Sequence, residues 1–401
     1  MSNEIVYDVI IVGAGPVGLL LGNLLGSFNI KTFIIEKEKN RRLDSKAIGI
    51  TPPSLQILKK LKLDNLFIKK GVKVKDVIVH GTKNIIGRIT FDKIQSKYPF
   101  ILSIPQVETE TILENNLKKY NSVEIKRELE FHDMEIRDDI LVIRAKNLYY
   151  KEFEVHKSRF LVACDGNKSD VRNFLKIPFT GGRYKYTFFM GDFIDNSGFN
   201  DEAHLFFTKY GPVESFPLPG GKRRWIVETK GLLKNPAESF LENQVEKKAG
   251  INLKESKKIS QSPFGVQHYI NKTYFKNRIL FCGDSAHVMS PIGGQGMNTG
   301  FADAEFCANV LNNILTKNGD PFILFRKYQH YRKKAAKIAT KRAYSSMRIG
   351  AMKGIVLSGI RNFLIFVLLP FFKNSIPYYF SMLTIPYSTF DKVKEKGRLD
   401  F

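Results

Sequence analysis

Three places along the chain leave an apolar strand on bare backbone and an acidic residue, a combination suited to holding phosphate and polyol groups. The first is YDVIIVGAGPVGLLLGNLLGSFNIKTFIIEKE. Its apolar run Val9 to Val12 leads into Gly13, Gly15 and Gly18, and a helical pattern of Val17, Leu20, Leu21, Leu24 and Leu25 follows. A second strand, Lys31 to Ile35, ends on Glu36, 18 residues after Gly18. In that arrangement the first glycine permits the tight turn, the second lets the backbone approach a pyrophosphate, and the third lets helix pack on strand. The helix N-terminus turns unpaired N–H groups and the positive end of its dipole toward the phosphates. Glu36 is placed to accept hydrogen bonds from ribose hydroxyls, with Pro16, Val17 and Lys37 flanking the same site. The stretch predicts a dinucleotide site and by itself does not separate NAD from FAD.

The second place, SRFLVACDGNKSDVR, sets an apolar strand (Phe160 to Cys164) before Asp165 and Gly166, with Ser169 and Arg172 opening a helix. The third, RILFCGDSAHVMSPIGGQGMNTG, leaves its strand at Gly283 and Asp284. An acid at the carboxyl end of a parallel strand points into the crevice where such sheets bind ligands, and Asp284 suits the hydroxyls of a flexible polyol. The stretch Gly293, Gly294, Gly296, Met297, Asn298 can bring backbone N–H groups against a flat ring. Phe301, Ala304, Ala308 and Leu311 predict a helix running on from Met297. Its positive end would favour an anion, and reduced flavin carries negative charge at its N1–C2=O edge.

Together GAGPVG with Glu36, ACDGNKSDVR and RILFCGDSAHVMSPIGGQGMNTGFADA resemble the class A flavoprotein monooxygenases over about residues 5 to 315. These are the FAD-dependent aromatic hydroxylases with the para-hydroxybenzoate hydroxylase fold. SKAIGITPPSLQILKKLKL and IPQVETETILENNL match as well. The resemblance implies that Gly13, Gly15, Gly18 and Glu36 hold the ADP half of FAD and that Gln106 lies along the flavin or ribityl chain. Asp165 and Gly166 match a fingerprint linked to both FAD and NAD(P)H, and Asp284 would bind the ribityl region. Pro291 and Gly293 would flank the reacting face, and Gly294 with Gly296 to Asn298 would present amides to the flavin edge. Two positions depart from the pattern. Lys46 stands where the family usually has Arg, keeping the charge without the planar fork, and Ser290 replaces a frequent second proline.

The chemistry implied is that NADPH or NADH reduces FAD and that the reduced flavin reacts with O2 to a C4a-hydroperoxide. That species hydroxylates an aromatic or polycyclic molecule. Flavin carries the hard chemistry, so no side chain is assigned as acid or base. Oxidative inactivation of a polycyclic antibiotic such as a tetracycline, and hydroxylation of a lipid-quinone precursor at a membrane, share every motif quoted. A non-redox lipid or prenyl carrier on the same fold is the reading from another class. The lone Trp225 argues against a halogenase with paired tryptophans.

The elements that must position these residues predict an α/β protein. A Rossmann-like FAD-binding lobe (1–75, 101–176 and 276–325) carries an inserted antiparallel substrate sheet (76–100 and 177–275) and a C-terminal helical lobe (326–401). Runs such as YKYTFFMGDFI, AHLFFTKYG, VESFPLPG and RRWIVET read as antiparallel strands. Phe206, Phe216, Pro217 and Pro219 are candidates to line an aromatic pocket. His287, inside the third motif, is expected in a supporting or solvent-facing place rather than in proton transfer. No histidine or cysteine spacing predicts a metal site.

The 401 residues carry 63 Lys+Arg against 39 Asp+Glu, a net charge of +24. That balance points to anionic ligands, nucleic acid or an anionic membrane, or to a Lys- and Asn-rich genome bias. From Arg326 to Phe401 there are 16 basic and 3 acidic residues. No RNA motif or helix-turn-helix pattern accompanies them, so nucleic acid is set aside. The acidic N-terminus running straight into a strand predicts no signal peptide and a cytoplasmic home. The apolar run Phe363 to Phe372 holds a proline and is too short to span a bilayer. It would either pack against the FAD lobe or make a peripheral membrane contact flanked by lysines.

Overall fold

Uninterrupted apolar runs such as Val9–Val12 make poor surface strands, and they pair where both faces are covered. In the computed structural model, which describes residues 5–41, 47–82 and 84–385, Val6–Val12 lies between two parallel neighbours, Thr32–Glu36 and Phe153–Ala163. Ile279–Phe281 extends the sheet beyond Phe153–Ala163, and Val123–Arg127 beyond Thr32–Glu36. The register sets Val12 beside Ala163 and Ala163 beside Phe281. The Cys164 amide therefore donates to the Val12 carbonyl at 2.7 Å, and the Cys282 amide to Ala163 at 2.9 Å. Three motifs far apart in sequence leave the sheet side by side.

The second large sheet runs in the order His287–Val288, Lys258–Asn271, Phe179–Ile194, Lys222–Thr229, Gly211–Leu218, Ala203–Thr208, Asp76–His80, Ile85–Thr90. It is not wholly antiparallel as expected: Ala203–Thr208 joins Asp76–His80 in parallel, because the insertion returns to an earlier piece of chain through a long connection. Alternation gives the sheet two apolar faces. Phe189, Phe193, Phe206, Val213 and Trp225 pack with Leu241 and Val245 of the helix Phe240–Ala249. Phe188, Met190, Ile226, Phe264 and Val266 pack on the other side, with Ile292 and Met347.

A 30-residue helix, Pro321–Gly350, lies on the motif helix Gln295–Lys317. The helix after it, Ile355–Phe372, overturns the expectation of packing on the FAD lobe. Only Ser358, Arg361 and Leu369 are buried; the helix leans on the strand Ile85–Thr90 of the other sheet, where Gly87 makes room for Leu369, while Arg361 bonds the Gly350 and Met352 carbonyls. Its polar residues Ser358, Arg361 and Asn362 share one stripe and the rest is apolar, so hydrophobic periodicity alone does not say how much of the helix would be covered.

The lobes are pinned together by one buried carboxylate. Asp303 accepts from the Gly283 amide at 3.0 Å, from His287 Nε2 at 2.6 Å and from Arg332 Nε at 2.6 Å. All three side chains are essentially inaccessible, which removes the solvent-facing option for His287. Burial works against the Asp303 anion, yet His287 and Arg332 hold its carboxyl below the usual range. Removing one member of such a cluster strands the other charges without water. Asp303→Ala is expected to cost about 3–5 kcal/mol in urea unfolding, and a loss below about 1 kcal/mol would show that the cluster does not hold the lobes.

Candidate cofactor and substrate site

The crevice at the carboxyl ends of these strands is built from close backbone contacts. Gly13 sits at φ +105°, and a Cβ there would lie 2.5 Å from the Cys164 carbonyl oxygen. At Gly18 a Cβ would come within 2.0 Å of the Gly13 oxygen. Nothing lies within 4 Å of a Cβ added at Gly15, so the chain itself does not require that residue to be bare. Pro16 starts the helix and Val17 wedges against Gly283 and Gly300. Glu36 accepts from the Ala14 amide at 2.7 Å and the Glu38 amide at 2.8 Å, bracing the turn at the end of its strand. Lys37 is exposed and reaches Asp170 at 3.3 Å, on the side of the second motif.

Asp165 lies against Gly13, its Oδ2 accepting from the Val171 amide, while its Oδ1 is buried with no partner. Burial pushes its carboxyl up to about 6 despite hydrogen bonds from Ser169 and Val171. Gly166 follows in left-handed backbone at φ +79°. Arg172 joins the second motif to the third, donating to the Ser285 carbonyl at 3.2 Å. In the run from Ile279 to Ser290, Asp284 is the one exposed residue; every other is buried. It sits on the turn Gly283–Ser285, directly after the strand Ile279–Phe281.

Pro291, Gly293, Gly294, Gly296 and Met297 are accessible, whereas Ile292, Gln295 and Asn298 are buried beneath them. Gly294 caps the motif helix in left-handed backbone, φ +64°, and no side chain caps that end. The helix Pro16–Ser27 likewise has no side-chain cap, as is true of Pro52–Lys60 and Gln106–Leu117, whereas Asp320 caps Pro321–Gly350. Two uncapped helix starts face one crevice, which is what anionic groups require. The side chain of Asn298 is not turned to that crevice. Its Oδ1 accepts from Thr51 and Ser54 and its Nδ2 donates to Gly49 and Gly294, leaving only its backbone for a ligand. Gln106 begins the helix Gln106–Leu117, its Nε2 2.8 Å from Glu110 and its amide on the Ala47 carbonyl. Lys46 lies outside the described residues.

A family model described as FAD binding domain matches residues 6–343. The chain belongs to this FAD-binding family. The bare Gly15, the buried unpartnered Asp165 Oδ1, the exposed Asp284 and the two uncapped helices fit that cofactor's pyrophosphate, polyol and ring edge. Among curated proteins, the chain is 26% identical over 306 residues to rifampicin monooxygenase of Streptomyces venezuelae, covering 74% of this chain and 62% of that one. It is 29% identical over 318 residues to 6-methylpretetramide 4-monooxygenase of Streptomyces rimosus, covering 77% and 56%. The chain thus spans about three fifths of the length of these relatives. Among solved structures, a p-nitrophenol 4-monooxygenase of Pseudomonas putida superposes with a TM-score of 0.84 at 18% identity, over 97% of this chain and 98% of that one.

One face of the second sheet carries Ile292 of the third motif. Phe216 lies on it. Phe206 does not: it packs in the opposite core, stacked on His80 and near Trp225, a correction to its assignment. Both positions are aromatic, and only the parity of the neighbouring strand separates them. Pro217 is buried at the sheet's junction with the FAD lobe, its carbonyl accepting from Ser103 Oγ at 2.6 Å.

Sequence reading missed Glu214. Val213 and Ser215 are buried, and Glu214 and Phe216 alternate with them as partly accessible residues. Glu214 pairs across the sheet with Leu205 and with Ile226 of the face that carries Ile292. It forms no ion pair or hydrogen bond with a described residue, and desolvation alone pushes its carboxyl up to about 7. A lone Glu in a short apolar strand gave no spacing to find it by.

Two outcomes follow. In FAD-stripped protein, Gly18→Ala is expected to lose about 1–3 kcal/mol in urea unfolding, whereas Gly15→Ala is expected to stay within about 0.5 kcal/mol of the parent and to lose FAD affinity. Equal stability losses for the two would place Gly15 in the packing rather than at a ligand. For Glu214, the folded chain holds a proton that the unfolded chain releases near 4.5, so its contribution to stability is lost as pH rises through about 7. The stability of Glu214→Gln relative to the parent is expected to rise by about 2–3 kcal/mol between about pH 4 and pH 8. A flat difference would place the carboxylate in water.

Proposed function

We propose that the protein is a FAD-dependent monooxygenase that consumes NAD(P)H and O2 and hydroxylates an aromatic or polycyclic small molecule. The observation that carries this reading is a juxtaposition. The accessible stretch Pro291–Gly294, at an uncapped helix start, adjoins through Ile292 an apolar sheet face bearing Phe188, Phe216 and Phe264. When bound, FAD supplies the electron transfer and oxygen activation expected above.

The chain's own residues then bind, orient and exclude water. Gly13 and Gly15 bring backbone to the pyrophosphate, Gly18 lets the helix pack close beneath it, Glu36 accepts from a ribose and Asp284 from the ribityl chain. The dipole of Gln295–Lys317 favours negative charge on the ring edge. The aromatic wall holds a flat substrate by stacking and keeps water away from it. The Glu214 carboxylate takes a hydrogen bond from a substrate hydroxyl and, once ionised, accepts its proton.

Relatives named for rifampicin and for 6-methylpretetramide support the polycyclic arm, including oxidative inactivation of an antibiotic. Relatives named for para-nitrophenol support a small phenol. The non-redox carrier is disfavoured by the intact ring-edge stretch. Three free thiols, Cys164, Cys282 and Cys307, suit a reducing cytoplasm.

The test is the visible spectrum of the purified protein, recorded anaerobically before and after NADPH or NADH, without and with a panel of phenolic and polycyclic compounds. A bound flavin that bleaches faster with one compound, and then yields that compound's hydroxylated product in air, is the expected result. Protein that cannot take up FAD leaves the carrier reading in its place.

A further inference from the structure

The helix Ile355–Phe372 is, among the described residues, the one long and apolar enough to cross a membrane, and it stands almost uncovered. Ile355 is 77% exposed, Phe363 65%, Phe366 60% and Phe371 81%. A soluble surface rarely keeps so many large apolar side chains together without an occupant. The helix is nonetheless fixed to the protein along one stripe. Arg361 Nη1 donates to the Gly350 and Met352 carbonyls at 3.0 and 2.7 Å, Asn362 Nδ2 donates to the Phe207 carbonyl at 3.0 Å, and Leu369 seats on Gly87. Those bonds hold it parallel to the protein surface. Crossing a bilayer would break them and carry the Arg361 charge into hydrocarbon.

Charge identifies the occupant. Between Arg326 and Ile385 there are twelve basic and no acidic side chains. Arg348 and Lys373, near either end of the apolar helix, are exposed. A second copy of the chain would bring the same basic region against this one, with like charges opposed. Anionic lipid headgroups over an acyl boundary complement both features, the cations at the headgroups and the phenylalanines below them.

We infer that Ile355–Phe372 docks the protein flat on the surface of an anionic lipid bilayer. The inference rests on exposure and charge and is independent of the redox reaction. The chain entering the helix passes close to the second sheet, since a Cβ on Gly350 would lie 3.4 Å from the Phe207 ring. Docking would therefore set that part of the second sheet next to the lipid.

The experiment is co-sedimentation of the FAD-loaded full chain with vesicles of phosphatidylcholine alone and of phosphatidylcholine mixed with phosphatidylglycerol. Expected is partition into the mixed vesicles, about tenfold weaker on neutral vesicles or at about 0.5 M salt. Phe363→Ser combined with Phe366→Ser and Phe371→Ser should weaken partition about tenfold or more, with flavin content unchanged because these side chains point away from the fold. Protein that stays in the supernatant with both vesicle types overturns the inference, as does a triple variant that still partitions fully. Light scattering that shows a dimer, abolished by the same triple variant, would assign the face to a second copy instead.

Discussion

The whole arrangement depends on a single anion kept out of water. Asp303 has no solvent to stabilise it, so the protein must bring partners to it, and those partners come from three separate pieces of chain. The Gly283 amide belongs to the turn that presents Asp284. His287 belongs to the short strand that attaches the motif to the substrate sheet, and Arg332 to the long C-terminal helix. Charge neutrality in a low-dielectric interior thereby becomes a geometric rule. Whatever places Asp303 also places Asp284, the short strand that joins the second sheet and the long C-terminal helix. Asn298 repeats the device in neutral form, its amide saturated by Gly49, Thr51, Ser54 and Gly294, so the ring-edge stretch is anchored from below while its upper surface stays open.

The parts of the site legible in the sequence are those in which chemistry is written into local spacing. Gly13, Gly15, Gly18 and Glu36 are constrained by the shape of one strand–helix–strand unit, so their offsets carry the geometry. Asp284 was legible because it ends a strand, and strand ends in parallel sheets share one edge. The rest depends on pairings between distant segments. Phe206 and Phe216 carry the same side chain in similar strands, and only the register of Ala203–Thr208 on Gly211–Leu218 sends them to opposite faces. The role of His287 waited on Arg332, 45 residues later. The exposure of Ile355–Phe372 was only half legible: Ser358, Arg361 and Asn362 mark the stripe fixed to the protein, but the apolar side chains around it are written identically whether protein or lipid covers them.

Glu214 sharpens the contrast between what stabilises this protein and what it is shaped to do. A carboxylate on an apolar sheet face, with no cation or donor among the described residues, favours the unfolded chain wherever it is ionised. The same strand shows how the fold normally treats such groups. Next to it, Ser215 takes a hydrogen bond from Arg223, and Arg223 is itself held by Asp195. One residue along, on the opposite face, Glu214 is left alone and partly accessible beside Phe216. Ser215, facing the core, is hydrogen-bonded, and Glu214, facing the other way, is not. An acceptor left without a donor beside an aromatic face costs stability, and the proposed function accounts for both together: a wall to stack a ring and a single point to fix the ring's hydroxyl.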